Sequence, residues 1–503
     1  MKQSIVLGLS ILASTSVFAR KQNPNVIFIL ADDLGYGDLA CYGQTKIETP
    51  NIDALAKEGI CFTQYYSGSP VSAPSRCVLL TGKHTGHAYI RGNDEMADRG
   101  NVWSHQAMLD NALLEGQRPM PASTFTIPRM FKQKGYVTAC VGKWGLGHPG
   151  SESTPTKMGF DFFYGYNCQR QAHTYYPPFL YRNEQREYLN NKRIIQPGEK
   201  HERETDFLDE NYYQKFTQND YAPDLMFREI LSFVDENKHN NFLLMWTTPI
   251  PHVPLQGSKR WVDYYVNKFG EEQPYFGDLG YYPIRFPHAS YAAMISYLDE
   301  QIGILVKHLK DNGLYENTVL IFTSDNGPTF NGGADSPWFR SAGPFKCERG
   351  WGKASLHEGG IRVPFIVSWP SRIEPERVSD HVCAAWDIMP TLAEILDVNV
   401  NTDGISLLPE LIGLKQIKTH DYLYWEYPES GGSIAIRMHN WKGIISNINK
   451  GNERMRLFNL DSDPSESFDL ANQYPDIIAS LKENIRNARI SPEVEKFKFI
   501  FDK

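Results

Sequence analysis

Four apolar runs in this chain each end on residues that carry chemistry, and that arrangement restricts the fold more than any other feature. "NVIFILADD" ends on Asp32 and Asp33, and "YVTACVGKW" reaches Gly142 and Lys143. "NFLLMWTTPIPHVP" leads to His252, and "NTVLIFTSDNG" ends on Asp325, Asn326 and Gly327. The first and last are nearly continuous in large aliphatic and aromatic residues, the pattern of strands covered on both faces. Helical spacing lies between them: from Met294, apolar residues recur at Leu298, Ile302, Leu305 and Leu309 before Gly313 stops the pattern. Strands alternating with helices imply an α/β fold with a large, mostly parallel sheet flanked by helices. Ligands of such sheets sit outside the carboxyl ends of the strands, so the four clusters are placed to share one crevice. A lone acidic pair after a strand is ordinary turn chemistry. Four polar clusters at the same topological position are not.

Asp32, Asp33, Asp325 and Asn326 offer only oxygen, with no histidine or cysteine beside them. Hard carboxylate and amide donors favour Ca²⁺ or Mg²⁺ over zinc, and calcium is preferred because several protein ligands are on offer. A second element points the same way. In "GSPVSAPSRCVLLTGKHTG", Ser72 reads as an N-cap, Pro74 fits a first turn, Cys77 to Leu80 supply an apolar side, and Gly82 ends the helix. A helix start favours an anion, and Arg76 adds a cation matched to tetrahedral oxyanions. On these residues alone, simple capping is the commoner role for such a serine.

The formal charge is −8 over 503 residues, which does not suggest a nucleic-acid partner. No internal apolar run is long enough to span a bilayer. "MKQSIVLGLSILASTSVFAR" has Lys2, an apolar stretch from Ile5 to Leu12 and a small-x-small site ending at Ala19, so residues 1–19 read as a signal peptide. The mature protein is therefore expected in the periplasm or outside the cell. Seven scattered cysteines form no C-x-x-C pair, and no disulfide is expected.

"SAPSRCVLLTG" (Ser72 to Gly82) resembles the signature of formylglycine-dependent sulfatases, members of the alkaline-phosphatase superfamily. "ADDLGYGDLACYG" resembles their N-terminal metal motif. "GKWGLG", "HVP", "SDNG" and "GKASLHEGGIRVPFIVSWP" resemble further blocks in the expected order, and "DIMPTL" and "LFNLDSDPSESFDLA" continue the match. The resemblance implies a catalytic domain over residues 20–415. It also implies a C-terminal subdomain over 416–503 with a short antiparallel sheet, read from "YLYWEY", "SIAIRM" and "KGIISNI", and a helix in "DIIASLKENIRNAR".

The resemblance also implies roles. Ser72, standing where family members carry Cys or Ser, is the residue that a sulfatase-maturating enzyme oxidises to Cα-formylglycine. The hydrated aldehyde attacks sulfur with one hydroxyl, and the second then allows sulfate to be expelled. Asp32, Asp33, Asp325 and Asn326 match the ligands of one calcium ion, with residue 72 as a further ligand. Arg76 matches the arginine that steadies the formylglycine, Lys143 and Lys353 the lysines on sulfate oxygens, and His252 a histidine near the leaving oxygen. His252 or Lys353 would protonate that oxygen. One departure stands out: where the family block reads G-K-W-H-L-G, this chain has Gly145. His87 is a candidate substitute, with capping of the Ser72 helix an equal alternative.

The aromatic-rich segment from Asp161 to Asn183 suits a sugar, with Gln169, Arg170 and His173 as candidate contacts. Residues 90–100, and 329–351 with Trp338 and Phe339, are candidate closing loops. The combination "GKWGLG", "GYNCQRQAH" and "YLYWEY" most resembles bacterial carbohydrate sulfatases related to N-acetylgalactosamine-6-sulfatases. That implies removal of 6-O-sulfate from galactose or N-acetylgalactosamine of mucin or glycosaminoglycans. A different regiospecificity or an aryl sulfate is the alternative. A phosphatase or phosphodiesterase of the superfamily would normally carry two zinc ions and a histidine at the Asn326 position, and a non-catalytic binder of sulfated glycans would leave Ser72 unoxidised.

Overall fold

The computed structural model describes residues 23–198 and 206–503. The expected signal peptide lies outside the described residues. The central sheet has ten strands, and its middle is built from the four runs read above. Thr318–Ser324, Asn25–Ala31, Phe242–Thr247 and Val137–Lys143 lie side by side in that order, all parallel, with Phe162–Tyr166 added parallel at the Val137–Lys143 side. Antiparallel strands flank this block, Phe365–Ser368 on one side and Phe179–Arg182 on the other.

The near-continuous apolar runs are explained by burial on both faces. Val26, Phe28 and Leu30 enter one core layer, and Ile27, Ile29 and Ala31 enter the other. The second layer is roofed by helix Pro287–Asp311, whose Met294, Leu298, Ile302, Leu305 and Leu309 are all buried. Its end follows the glycine signal: Gly313 has φ +67°, and the N–H of Leu314 donates to the carbonyl of Leu309 at 2.9 Å. The first layer holds helix Ser72–Thr81 and helix Ile388–Leu396.

A separate antiparallel sheet forms near the C-terminus from Leu423–Tyr427, Ser433–Met438, Trp441–Ser446 and Met455–Asn459. Helix Pro475–Asn487 covers one face through Leu481 and Ile485. The other face joins the first core layer through Leu423, Trp425 and Phe458. Buried polar bonds hold the two parts in register: Trp425 Nε1–H donates to the Ser67 carbonyl at 2.9 Å, and the Glu426 N–H to Thr85 Oγ1 at 2.7 Å. No helix among the described residues is long and apolar enough to cross a membrane.

Candidate active site

The parallel strands release their chain at one edge, and backbone bonds stitch the ends together just beyond the ladder. The Asp32 N–H donates to the Ile250 carbonyl and the Asp325 N–H to the Ala31 carbonyl, each at 3.0 Å. Asp32, Asp33, Lys143, His252, Asp325 and Asn326 therefore leave the sheet within one small region, and all are buried. Helix Ser72–Thr81 points its first turn at them. Here the expected cap is corrected. Val71 is the N-cap, with extended backbone, and Ser72 is the first helical residue. Its hydroxyl is consequently free of capping duty. Ser72 Oγ lies 3.2 Å from Asp32 Oδ1, and Lys143 Nζ donates to Ser72 Oγ at 3.2 Å. The second N–H of the helix, on Ala73, donates instead to Asn93 Oδ1 at 3.2 Å.

Each carboxylate has a cationic partner. Asp32 pairs with Lys143, Asp33 with Lys353 at 2.7 Å and Asp325 with Arg76 at 2.9 Å. Arg76 also reaches Asp32 at 3.4 Å and donates to the Lys143 carbonyl at 2.8 Å. Burial pushes the Asp32 carboxyl up, but Lys143, His252 and Arg76 outweigh it and hold its pKa below the ordinary value. Burial acts on Asp33 in the same sense and is outweighed by Lys353 and His252. Burial lowers the Lys143 pKa in spite of Asp32. For Lys353 burial is overcome by Asp33, and the pKa rises. Burial, then Lys353, lowers that of His252.

The donor set suits a hard divalent cation. Asn326 Oδ1 is buried and, among the described residues, accepts no hydrogen bond, while its Nδ2 donates to Asp33 Oδ1 at 2.7 Å. Three carboxylates and an unpartnered amide oxygen converge, with no sulfur donor among them. The three ion pairs leave the cluster formally neutral. A divalent cation would make it positive by two, which favours an anionic ester at its mouth.

His252 stands in the turn after its strand, between two cis X-Pro bonds. Its Nδ1 is 2.5 Å from the Val253 carbonyl, so Nδ1 carries the proton, and Nε2 is 3.6 Å from Asp33 Oδ2. Tyr175 OH holds this turn by donating to the carbonyls of Pro249 and His252 at 2.7 and 2.8 Å. His173 stacks on His252, with ring centroids 5.3 Å apart, and Tyr281 packs edgewise on both.

Gly145, where the resembled block has histidine, has φ +79°. A Cβ there would lie 2.7 Å from Gln169 Cγ and 3.0 Å from its Cδ. Gln169 thus lies directly over Gly145, and its Nε2 donates to Asn93 Oδ1 at 3.3 Å.

Three expectations need correction. His87 does not reach Ser72: it lies past the far end of helix 72–81, about 15 Å of helix away. There its Nδ1 pairs with Asp403 at 2.9 Å, and the Asp403 N–H caps the Gly82 carbonyl at 2.8 Å, so His87 serves the helix end through Asp403. Arg170 offers no free fork to a sugar. It is buried, ion-paired with Glu95, and donates to the Leu114 carbonyl at 2.8 Å. Trp338 and Phe339 pack on the long helix, Trp338 stacked on His288 at 4.1 Å and Phe339 against Tyr291. Asn93, Tyr175 and Tyr281 were not singled out in the sequence, since each acquires its place only through partners distant in the chain.

With this geometry in view, the comparisons with known proteins are specific. The sulfatase family model matches residues 24–398, and a model of the N-sulphoglucosamine sulphohydrolase C-terminal region matches 347–491. The chain belongs to the sulfatase family and is a sulfuric ester hydrolase. It is 30% identical to an N-acetylgalactosamine-6-O-sulfatase of Bacteroides thetaiotaomicron, over 93% of each chain. It is 28% identical to the human N-acetylgalactosamine-6-sulfatase, over 90% of this chain and 82% of that one. Among solved structures, Ps i-CgsB in complex with k-i-k-neocarrahexaose superposes with a TM-score of 0.72 at 26% identity, covering 94% of each chain. A structure from work on metabolism of multiple glycosaminoglycans by Bacteroides thetaiotaomicron gives 0.69 at 27% identity, over 93% of this chain and 99% of that one.

Proposed function

We propose that this protein is a carbohydrate sulfatase that removes 6-O-sulfate from terminal galactose or N-acetylgalactosamine of mucin or glycosaminoglycan chains. The observation that carries the reading is the convergence of Lys143 and Asp32 on Ser72 Oγ at the start of one short helix, with Arg76 of that helix reaching Asp32. The Bacteroides and human relatives named for 6-sulfated N-acetylgalactosamine support the finer assignment. The apolar segment at residues 5–12 and the bacterial relative support export to the periplasm or beyond.

Side chain 72, oxidised to formylglycine by a maturating enzyme and hydrated, supplies a nucleophile that resets itself by releasing sulfate. Asp32, Asp33, Asp325 and Asn326 would hold one calcium ion, which supplies fixed positive charge beside the transferring group. Lys143 binds the oxygen of residue 72 and an equatorial sulfate oxygen. Lys353, on Asp33, is placed to hold a further sulfate oxygen. Cations placed before the reaction where charge develops are the largest source of rate in such sites. Arg76 keeps the helix start and Asp325 together. Lys353 is the proton donor to the leaving alcohol: Asp33 at 2.7 Å keeps its Nζ protonated, whereas His252 carries its proton on Nδ1 and presents Nε2 as an acceptor.

The test is a matured sample, checked by peptide mass spectrometry for loss of two hydrogens at Ser72, assayed on galactose and N-acetylgalactosamine sulfated singly at O2, O3, O4 or O6. A sulfated galactan oligosaccharide and a phosphate monoester complete the panel. Selective release of sulfate from the 6-O-esters is expected. Selective turnover of another ester overturns the regiochemistry, and turnover of the phosphate alone overturns the whole reading.

A further inference from the structure

We propose that Glu429, carried by the C-terminal sheet, and Asn93 together recognise a hydroxyl of the sulfated sugar, so that the smaller sheet decides which sugar sulfate is cleaved. The inference rests on the carbohydrate reading above and adds a residue pair to it.

Glu429 lies in the hairpin between Leu423–Tyr427 and Ser433–Met438, whose register pairs Tyr427 with Ser433. Ser430, Gly431 and Gly432 have positive φ, and the Gly432 N–H donates to the Glu429 carbonyl at 2.9 Å, so the turn is tight. The hairpin is fixed on the large domain by the Trp425 and Glu426 bonds described above. Arg91, fully buried, adds an ion pair of 2.5 Å to Glu426. Glu429 is thereby carried to the start of helix 72–81. One carboxylate oxygen accepts the Asn93 N–H at 2.5 Å. A Cβ at Gly92 would lie 2.9 Å from that oxygen, so the glycine lets the carboxylate sit close to the backbone here.

What remains unused is informative. Asn93 Oδ1 accepts from Ala73 N–H, one residue from Ser72, and from Gln169 Nε2. The Ala73 donor fixes the amide's orientation, so Asn93 turns its Nδ2 the other way. Among the described residues, Asn93 Nδ2 and the second oxygen of Glu429 make no hydrogen bond. Both residues are half-buried. The free Asn93 amide donor, beside a Glu429 oxygen that accepts once the carboxyl is ionised, matches a hydroxyl, which accepts and donates at once. An aryl sulfate has no such group. The carboxylate is also held at a disadvantage: burial, with Glu95 and Asp94 adding to it against Lys496, raises the Glu429 pKa to about 7.

The experiment compares wild type, Glu429→Gln and Asn93→Ala, with formylglycine content equalised by mass spectrometry. Substrates are N-acetylgalactosamine-6-sulfate, galactose-6-sulfate, their 3- and 4-deoxy analogues and 4-nitrophenyl sulfate. Each variant is expected to lower kcat/KM on the sugar sulfates relative to the aryl ester by about tenfold to a hundredfold, mainly through KM. One deoxy analogue is expected to be a poor substrate for wild type, yet no worse than its parent sugar for Glu429→Gln. Equal losses on sugar and aryl esters, or no loss, overturn the proposal while leaving the carbohydrate reading intact. A wild type that turns over only the aryl ester overturns that reading and this proposal with it. If Glu429→Gln does not accumulate folded, Asn93→Ala reads the same hydroxyl.

Discussion

Replacing Gly145 by the histidine of the resembled block tests whether Gln169 occupies that space. Two separable penalties follow from the geometry. A side chain at φ +79° costs about 1–2 kcal/mol of backbone strain. A Cβ 2.7 Å from Gln169 Cγ overpacks a buried contact, which costs about 1–3 kcal/mol. Gly145→His should thus destabilise by about 2–5 kcal/mol. Gln169→Ala removes Cγ, Cδ and Oε1, the three atoms nearest the added carbon, and alone loses the bond to Asn93, worth about 0.5–1.5 kcal/mol, together with the packing of the buried Cγ and Cδ. In the double variant the overpacking vanishes and the strain stays. The pair should therefore be less damaging than the sum of the singles by about 1–3 kcal/mol. Urea unfolding followed by pulse proteolysis measures all four corners of the cycle. Strict additivity, or a Gly145→His protein as stable as wild type, would refute the reasoning.

Three further outcomes are expected. Chelation should abolish turnover and lower the melting temperature, with calcium restoring both; at a hundredfold excess over Kd the stabilisation is about 2.7 kcal/mol, and a chelated protein with full activity would remove the cation from the account. Arg170→Met should destabilise by about 3–5 kcal/mol, because Glu95 is left without its partner, and should not alter the ranking of sugar substrates; a changed ranking would return Arg170 to the sugar site. Glu429→Gln should stabilise the protein at pH 8 by something on the order of 1–3 kcal/mol and not at pH 4.5. The sign follows from the raised pKa of about 7: from the ordinary glutamate value up to 7 the folded state holds a proton that the unfolded state has lost, so stability falls as pH rises through that window. Melting curves at the two pH values decide it.

The local patterns explain which expectations held. Val26, Phe28 and Leu30 alternate with Ile27 and Ile29 between two apolar layers, and a strand buried on both faces must be apolar throughout. That run was legible because periodicity is a property of adjacent residues. The helix start was nearly so, displaced by one position: Val71 is extended, so Ser72 enters the helix and its hydroxyl turns to Asp32 rather than to its own backbone. For His87 the helix-end alternative holds, and Arg170 turns away from the sugar side, because nearness in sequence, or presence in an aromatic segment, says nothing of direction. The one follows its helix to the far end, and the other finds Glu95 first.

Composition and pattern therefore decided the strands, their covered faces, and the carboxylates, lysine and histidine at their ends, because these depend on short-range periodicity and on side-chain chemistry. Tertiary packing alone decided that Gln169 lies over Gly145, that Asn93 meets Ala73, and that Glu429 arrives from a second sheet more than three hundred residues along the chain from Asn93. Those contacts exist only after two separately built layers dock, and docking is governed by buried partners such as Trp425 with Ser67 and Arg91 with Glu426 that no local signal announces.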